Sequence, residues 1–209
     1  MNTSITQATP YSVTRLTVDV PRTFEDFQEH YEQAAPPMPR EEVDALVARG
    51  APWSEMNALI AGAAPLGFLI YWKNDAHSVM RLAGDTAKGT FYLMGNHTIA
   101  ERMYRHQPAV MLCAPLHTMI WESPDSATHF TFNRPSDQFG SFEMPAITAV
   151  GMELDQKDAA TSRTGRGPVN LATIRAVIAA FKDAGYLHVP EGRRDRTTPV
   201  ETLHLHGLD

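Results

Sequence analysis

Apolar and polar residues alternate along several short stretches of this chain and recur at helical spacing along others. Alternation with many β-branched residues from Tyr11 to Val20 predicts a strand. Phe24, Phe27 and Tyr31 then recur at helical spacing, which predicts an amphipathic helix over residues 24–34. The same criteria predict further strands at 67–73, 90–94, 116–122 and 129–134, the last two as a hairpin.

Two further groups of helices flank these strands. Residues 41–49 and 54–63 predict two short helices, which form an insertion of about residues 40–63 between the first helix and the next strand. A helix from Thr98 to about Arg105 has a capping-box start. The sequence also predicts a helical extension over 143–186, with a helix at 170–184, and a charged tail at 191–209. We therefore predict a single α+β domain over 1–190.

Net charge, the length of apolar stretches and the single cysteine indicate which partners and which location to expect. The 209 residues carry a net charge of −6, and a mildly acidic chain is repelled by phosphate backbones, so we expect no nucleic-acid partner. The longest apolar stretch, Ala58 to Tyr71, is interrupted by Gly62, Pro65 and Gly67 and predicts no membrane span. The lone Cys113 forms no internal disulfide and is predicted to be a buried, inert thiol, which favours a cytoplasmic location.

A series of short motifs between residues 67 and 134 follows a distinctive order. The motifs are Phe91-Tyr92-Leu93-Met94-Gly95-Asn96, Gln107-Pro108, Ala114-Pro115-Leu116, Trp121-Glu122 and Asn133-Arg134-Pro135-Ser136. In this order they resemble the domain-of-unknown-function 302 family. The family usually has proline where this sequence has His97, and it lacks the insertion and the long C-terminal extension. The resemblance implies a TBP-like α+β fold, with an antiparallel sheet carrying helices on one face, and a homodimer. It implies no reaction and no catalytic residue.

Strand alternation predicts which side chains face away from the helices. If Leu116 and Ile120, with Phe130 and Phe132, pack beneath the helices, the opposite face has an amphipathic, aromatic character. Its predicted members are Tyr71, Tyr92, Met94, His117, Met119, Trp121 and His129. Such a face suits an apolar ligand with a few polar handles, and it equally suits a dimer interface.

His117 is the residue on this face whose ordinary pKa, about 6.5, allows proton transfer near neutral pH. We predict His117 as a catalytic proton carrier, with Tyr71 or Tyr92 orienting a substrate; the alternative is a histidine hydrogen-bonded within sheet packing. Trp121, Met119 and His129 are predicted to contact the ligand. Asn96 and His97 lie at a strand-to-helix turn, where free N–H groups favour an anion site; the alternative there is an exposed turn residue.

No motif predicts a bound metal or cofactor. The chain has no His-x-x-x-His pair with an acid and no cysteine pair, so we predict no metal site and no cofactor. Haem ligation by a sheet-face histidine near methionine stays open as a third hypothesis.

The leading functional hypothesis is a homodimer that binds or processes a small, largely apolar metabolite. If it is an enzyme, which the sequence leaves open, we expect acid–base isomerisation, cyclisation or dehydration. The alternative is a non-enzymatic dimeric scaffold or sensor.

Overall fold

The computed structural model describes residues 7–155, which form one five-stranded sheet and a layer of helices. The strands are β1 (Arg15–Val20), β2 (Leu69–Asn74), β3 (Gly89–Gly95), β4 (Leu116–Glu122) and β5 (Thr128–Asn133). The helices are α1 (Phe24–Ala34), α2 (Arg40–Ala48), α3 (Trp53–Ala63), α4 (Ala76–Met80), α5 (His97–Tyr104), α6 (Pro135–Gly140) and α7 (Pro145–Asp155). The sheet order is β1-β5-β4-β3-β2 with all neighbours antiparallel, which confirms the α+β prediction. The TBP-like topology stays a prediction, and the predicted helix at 170–184 and the tail at 191–209 lie outside the described residues.

The main core lies between one face of the sheet and α1, α5, α6 and α7. Phe27 and Tyr31 of α1 pack on Phe130, with ring centroids 5.9 and 5.4 Å from it. The Thr23 hydroxyl accepts the backbone N–H of Asp26 and so caps the start of α1. Cys113 is buried, and burial raises the pKa of its thiol, as expected from its apolar neighbours.

The two predicted insertion helices correspond to α2 and α3, which cover the β2 edge of the sheet. Their buried side chains Val43, Met56 and Ile60 form a second apolar cluster around Leu69. Both backbone groups of Ile70 bond the proline-rich link before α2, at 2.8 Å each. Because an edge strand otherwise presents unpaired backbone groups, this link satisfies part of the β2 edge.

A bulge interrupts the alternation of β2. Its pairing with β3 shifts between Ile70 and Trp72, so that Tyr71 is the extra residue. Before the bulge, Leu69 belongs to the cluster beneath α2 and α3 and Ile70 belongs to the main core. After the bulge, Trp72 pairs with Leu93 and is exposed.

The prediction of which β3 side chains point away from the helices is wrong. Tyr92 and Met94 are fully buried in the main core beneath the helices, and the β3 residues that face the other way are Phe91 and Leu93. In register, Phe91 pairs with Met119 and Leu93 pairs with His117. Both alternating sets of β3 are apolar, so polarity alone did not indicate which set faces the core.

Several element bounds also differ from the predictions. Strand β1 begins at Arg15 rather than Tyr11, and residues 76–83, for which no element was predicted, form α4 and a short 3₁₀ turn. Helix α6 was not predicted, although Pro135 at its first position is a recognised helix-start signal. No helix within residues 7–155 is both long enough and apolar enough to cross a bilayer.

Candidate functional site

An apolar cavity of about 210 Å³ lies between the end of β3, the start of β4 and helices α5 to α7. Its apolar wall includes the side chains of Phe68, Met94, Ile99, Met103, Leu116 and Phe139. A dry cavity of about 150 Å³ is large enough to bind benzene. The volume therefore suits a compound with a single ring.

Two polar side chains, Tyr71 and His97, meet at the wall of this cavity. The Tyr71 hydroxyl oxygen lies 2.8 Å from Nδ1 of His97, and the two rings meet edge to face with centroids 5.0 Å apart. The β2 bulge places Tyr71 here, and His97 is the first residue of α5. One hydrogen lies between the two atoms: either the phenol donates to Nδ1 or Nδ1–H donates to the phenol oxygen. Within residues 7–155 we find no hydrogen-bond partner for Nε2.

Burial sets the charge of both groups. It lowers the pKa of His97 below its ordinary 6.5, so the imidazole is neutral at pH 7. Burial also raises the pKa of Tyr71, and interaction with the backbone of His97 offsets part of that rise. The pair at neutral pH is thus an uncharged phenol and an uncharged imidazole, which an apolar cavity can accommodate.

The side chain of Asn96 holds the start of α5, and so positions His97; its polar atoms are bonded to the protein backbone and are not free to bind a ligand. Its side-chain oxygen accepts the backbone N–H groups of Thr98 and Ile99, at 2.8 and 3.4 Å, and its amide donates to the Gly67 carbonyl at 2.7 Å. Asn96 is therefore the N-cap of α5, not Thr98 as predicted. The N–H groups of Thr98 and Ile99 at this helix start are therefore already bonded to Asn96, and His97 is half-buried rather than an exposed turn residue.

Close packing at Gly95 brings Tyr71 to its partner. A Cβ atom on Gly95 would lie 3.2 Å from Cε2 of Tyr71 and 3.3 Å from Cβ of Pro115. Those distances are tighter than most real Cβ contacts, so the absence of a side chain at Gly95 allows the phenol ring to approach β3.

The other predicted site residues lie elsewhere. Tyr92 points into the helix layer, where its hydroxyl donates to Glu32 and accepts from Gln28, at 2.8 and 2.9 Å. The prediction that Tyr92 shares a face with His117 is therefore wrong. Burial raises the pKa of the Tyr92 hydroxyl, so it stays protonated.

His117 does lie on the outer face, where it is exposed and meets Phe91 edge to face at 5.5 Å. It lines neither the cavity nor the open groove that Met119 and Trp121 help to form on that face. His129 stacks on Trp121, with ring centroids 4.4 Å apart. The catalytic role predicted for His117 stays a prediction.

Sequence reasoning named Tyr71, Asn96 and His97 separately but missed that Tyr71 and His97 form a pair. The two lie 26 positions apart, and the bulge that turns Tyr71 toward His97 has no clear sequence signal. The signal that could have found the pair was His97 itself, at a position where the resembled family has proline.

A metal site has no support in the part of the chain that the structure describes. No group of three or more histidine, cysteine, aspartate or glutamate residues lies within ligating reach there. Cofactor pockets usually occupy about 300–1,000 Å³, so the cavity beside His97 is small for a haem group.

Comparison with known proteins points to one family. No curated protein matches the chain. The crystal structure of an uncharacterised conserved DUF302 protein from Bacillus stearothermophilus is similar, with a TM-score of 0.48 and 15% identity, over 68% of this chain and 89% of that chain. The family model for the domain of unknown function DUF302 matches residues 55–162, a stretch that includes all but the first two residues of α3, the whole of α7 and every residue named above in the cavity wall. Since this match spans more than half of the sequence, the chain belongs to the DUF302 family.

Proposed function

We propose that this protein binds a small, largely apolar carbonyl compound in the cavity beside Tyr71 and His97 and moves a proton on it by acid–base chemistry. The observation that carries the proposal is a neutral imidazole, hydrogen-bonded to a phenol, at the wall of an apolar cavity. The apolar wall would bind the hydrocarbon part, and the two polar side chains would orient the carbonyl group.

The chemistry needs no co-reactant. When Nδ1–H donates to Tyr71, the Nε2 lone pair of His97 can take a proton from the carbon next to the carbonyl group. Returning that proton to another carbon isomerises the substrate, with atoms and charges balanced. A base whose pKa lies below neutrality is fully available at pH 7, and the phenol can donate a hydrogen bond to the developing enolate.

Exchange of the α-protons of cyclohexanone with D₂O, followed by proton NMR, tests this proposal. The wild-type protein should accelerate exchange above the buffer rate, and His97→Gln should lose roughly 10²-fold or more of that acceleration, as general acid–base catalysis typically contributes. Tyr71→Phe should give an intermediate loss, whereas the exposed His106→Gln should change nothing. Exchange at the buffer rate with wild-type protein would contradict the proposal, and loss in His117→Gln but not His97→Gln would return the role to His117.

A second candidate function, a homodimeric scaffold, rests on the outer face of the sheet. Trp72 is 49% exposed there and meets Phe91 edge to face at 5.9 Å, beside half-buried Leu93. These three side chains lie on β2 and β3, at one edge of the sheet. Aromatic residues such as Trp and Phe are enriched in the cores of protein–protein interfaces. We propose a second copy of this chain as its occupant, and a cytoplasmic setting in which Cys113 stays reduced.

Sedimentation velocity distinguishes this second candidate. Trp72→Asp should convert a dimer into a folded monomer, because burying an unpaired carboxylate in the interface is costly. Trp53→Asp is the matched control, since Trp53 is similarly exposed, at 44%, but lies on α3. A wild-type monomer, or a Trp72→Asp dimer, would remove the proposal.

A further inference from the structure

The outer face of the sheet carries a second concave site, separate from the cavity. An open groove of about 640 Å³ has its floor on Thr17, Thr131, Met119 and Trp121, and one wall is formed by residues 76–88. We call it the Trp121 groove. It lies over β1, β5 and β4, whereas the exposed Trp72 lies on β2. Its volume is typical of sites for small metabolites.

The indole of Trp121 is held rigidly in this groove. Its Nε1–H donates to the hydroxyl of Thr131 at 2.8 Å, and that hydroxyl bonds the hydroxyl of Thr17 at 2.9 Å. The imidazole of His129 stacks on the indole with an interplanar angle of 29°. A ring whose edge and one face are already fixed loses little freedom when a ligand covers its remaining surface.

His129 is itself held from both sides. Its Nδ1 lies 3.1 Å from a carboxylate oxygen of Asp19, and its Nε2 lies 3.1 Å from the hydroxyl of Ser123. The Ser123 hydroxyl also bonds Asp125 and the carbonyl of Ala127, so it stabilises the turn between β4 and β5. His129 is thus a positioning residue, whose fixed imidazole ring holds the indole of Trp121 in place.

The charges around the groove favour one orientation of a charged ligand. Arg15 lines it from β1 and makes no ion pair with any residue in 7–155. Lys88 is neutralised by Glu25 at 2.8 Å and Glu122 at 3.6 Å. Asp85 lies on the opposite wall, together with His77. An anionic group is therefore favoured at the β1 side and disfavoured at the wall formed by residues 76–88.

We propose that the Trp121 groove binds a planar aromatic carboxylate, whose ring lies on the indole and whose carboxylate pairs with Arg15. Indole surfaces take flat rings by offset stacking, and the guanidinium matches a carboxylate with two parallel hydrogen bonds. The site is independent of the proton-transfer chemistry at His97.

Titration with 2-naphthoate, followed through the indole N–H resonances in proton–nitrogen NMR spectra, tests the inference. The chain has three tryptophans, and Trp121→Phe identifies the resonance of Trp121. Naphthoate should shift that resonance, and the neutral 2-naphthamide should bind about tenfold more weakly, as expected for the loss of a charge-assisted pair.

Variants of Arg15 test whether the ligand's carboxylate lies at the β1 side of the groove. Arg15→Gln should make naphthoate and naphthamide bind equally, and Arg15→Lys should restore part of the preference. Arg22→Gln is the control, because Arg22 pairs with Asp26 at 3.8 Å outside the groove. His97→Gln should leave naphthoate binding unchanged, so failure at one site does not decide the other. A Trp121 resonance that does not move with naphthoate, or an unchanged acid-over-amide preference in Arg15→Gln, would overturn the inference.

Discussion

Gly95, Asn96 and His97 are consecutive, and each contributes differently to the pair at the cavity wall. Gly95 leaves room for the Tyr71 ring, Asn96 caps α5, and His97 supplies the imidazole. Because the three follow one another at a strand-to-helix turn, any shift of that turn moves the imidazole relative to the phenol. The geometry of the pair thus depends on a few backbone atoms.

Gly95→Ala should separate the pair. The new Cβ would contact Tyr71 and Pro115 at 3.2 and 3.3 Å, and overpacking of this kind typically costs about 1–3 kcal/mol of unfolding free energy. Chemical denaturation measures the cost, and loss of cyclohexanone proton exchange reports the displaced phenol.

Gly62→Ala is the matched control for that variant. Gly62 lies inside α3, and a new Cβ would have no atom within 4 Å apart from its chain neighbours and the backbone of its own helix, so alanine there should stabilise the protein by about 0.5–1 kcal/mol. If Gly95→Ala behaved like Gly62→Ala, close packing at Gly95 would not be what places Tyr71.

At the scale of elements, helix α5 and the bulge of β2 build the cavity together. The helix begins at the cavity and presents His97 from its first turn, and the bulge turns Tyr71 out of the strand alternation. Buried Ile99 and Met103 anchor the same helix in the core. The position of the imidazole is therefore as well defined as the start of α5.

Asn96→Ala should loosen this start. It removes the cap of two backbone N–H groups and the bond to the Gly67 carbonyl, and loss of an N-cap typically costs about 0.5–2 kcal/mol. Asn96→Ser should recover the cap but not the Gly67 bond, so its unfolding free energy should fall between the two. Equal stability of all three proteins, measured by denaturation, would show that Asn96 does not hold the helix.

Strands and helices were predictable where apolar and polar residues differ across an element. Strand β4 was predicted to the residue because Leu116, Thr118 and Ile120 alternate with His117 and Trp121. Strand β3 was also predicted, but the wrong set of its side chains was assigned to the core, because its two alternating sets are equally apolar. The pair at the cavity was not predictable, because it depends on a bulge and on a contact between residues 26 positions apart.

At the scale of the whole molecule, the two proposed ligand sites lie on opposite faces of the sheet and differ in their relation to the family. The wall residues named for the cavity lie within the matched stretch 55–162. The groove also uses Arg15 and Thr17 of β1, which lie outside that stretch. The cavity thus lies within the matched stretch, and the groove extends beyond it.

The buried imidazole should also make the stability of the molecule depend on pH. The pKa of His97 is lower in the folded protein than its ordinary 6.5, so the unfolded chain binds the proton first as the pH falls. His97 thus contributes stability that is complete above about pH 6.5 and is lost as the pH falls through the folded-state pKa. The unfolding free energy of wild type should fall more steeply from pH 7 to 5 than that of His97→Asn. Parallel curves for the two proteins, with the exposed His106→Asn as reference, would contradict this.

The proposed site requires a neutral His97 imidazole that contacts a ligand in the cavity. Nitrogen NMR of the imidazole, recorded between pH 4 and 8 with and without cyclohexanone, measures both properties at once. We predict a titration midpoint below 6.5, an Nδ1 signal that changes in Tyr71→Phe, and a shift of the His97 signals when cyclohexanone is added. A midpoint at or above 6.5, together with His97 signals that do not respond to cyclohexanone, would contradict the proposed site.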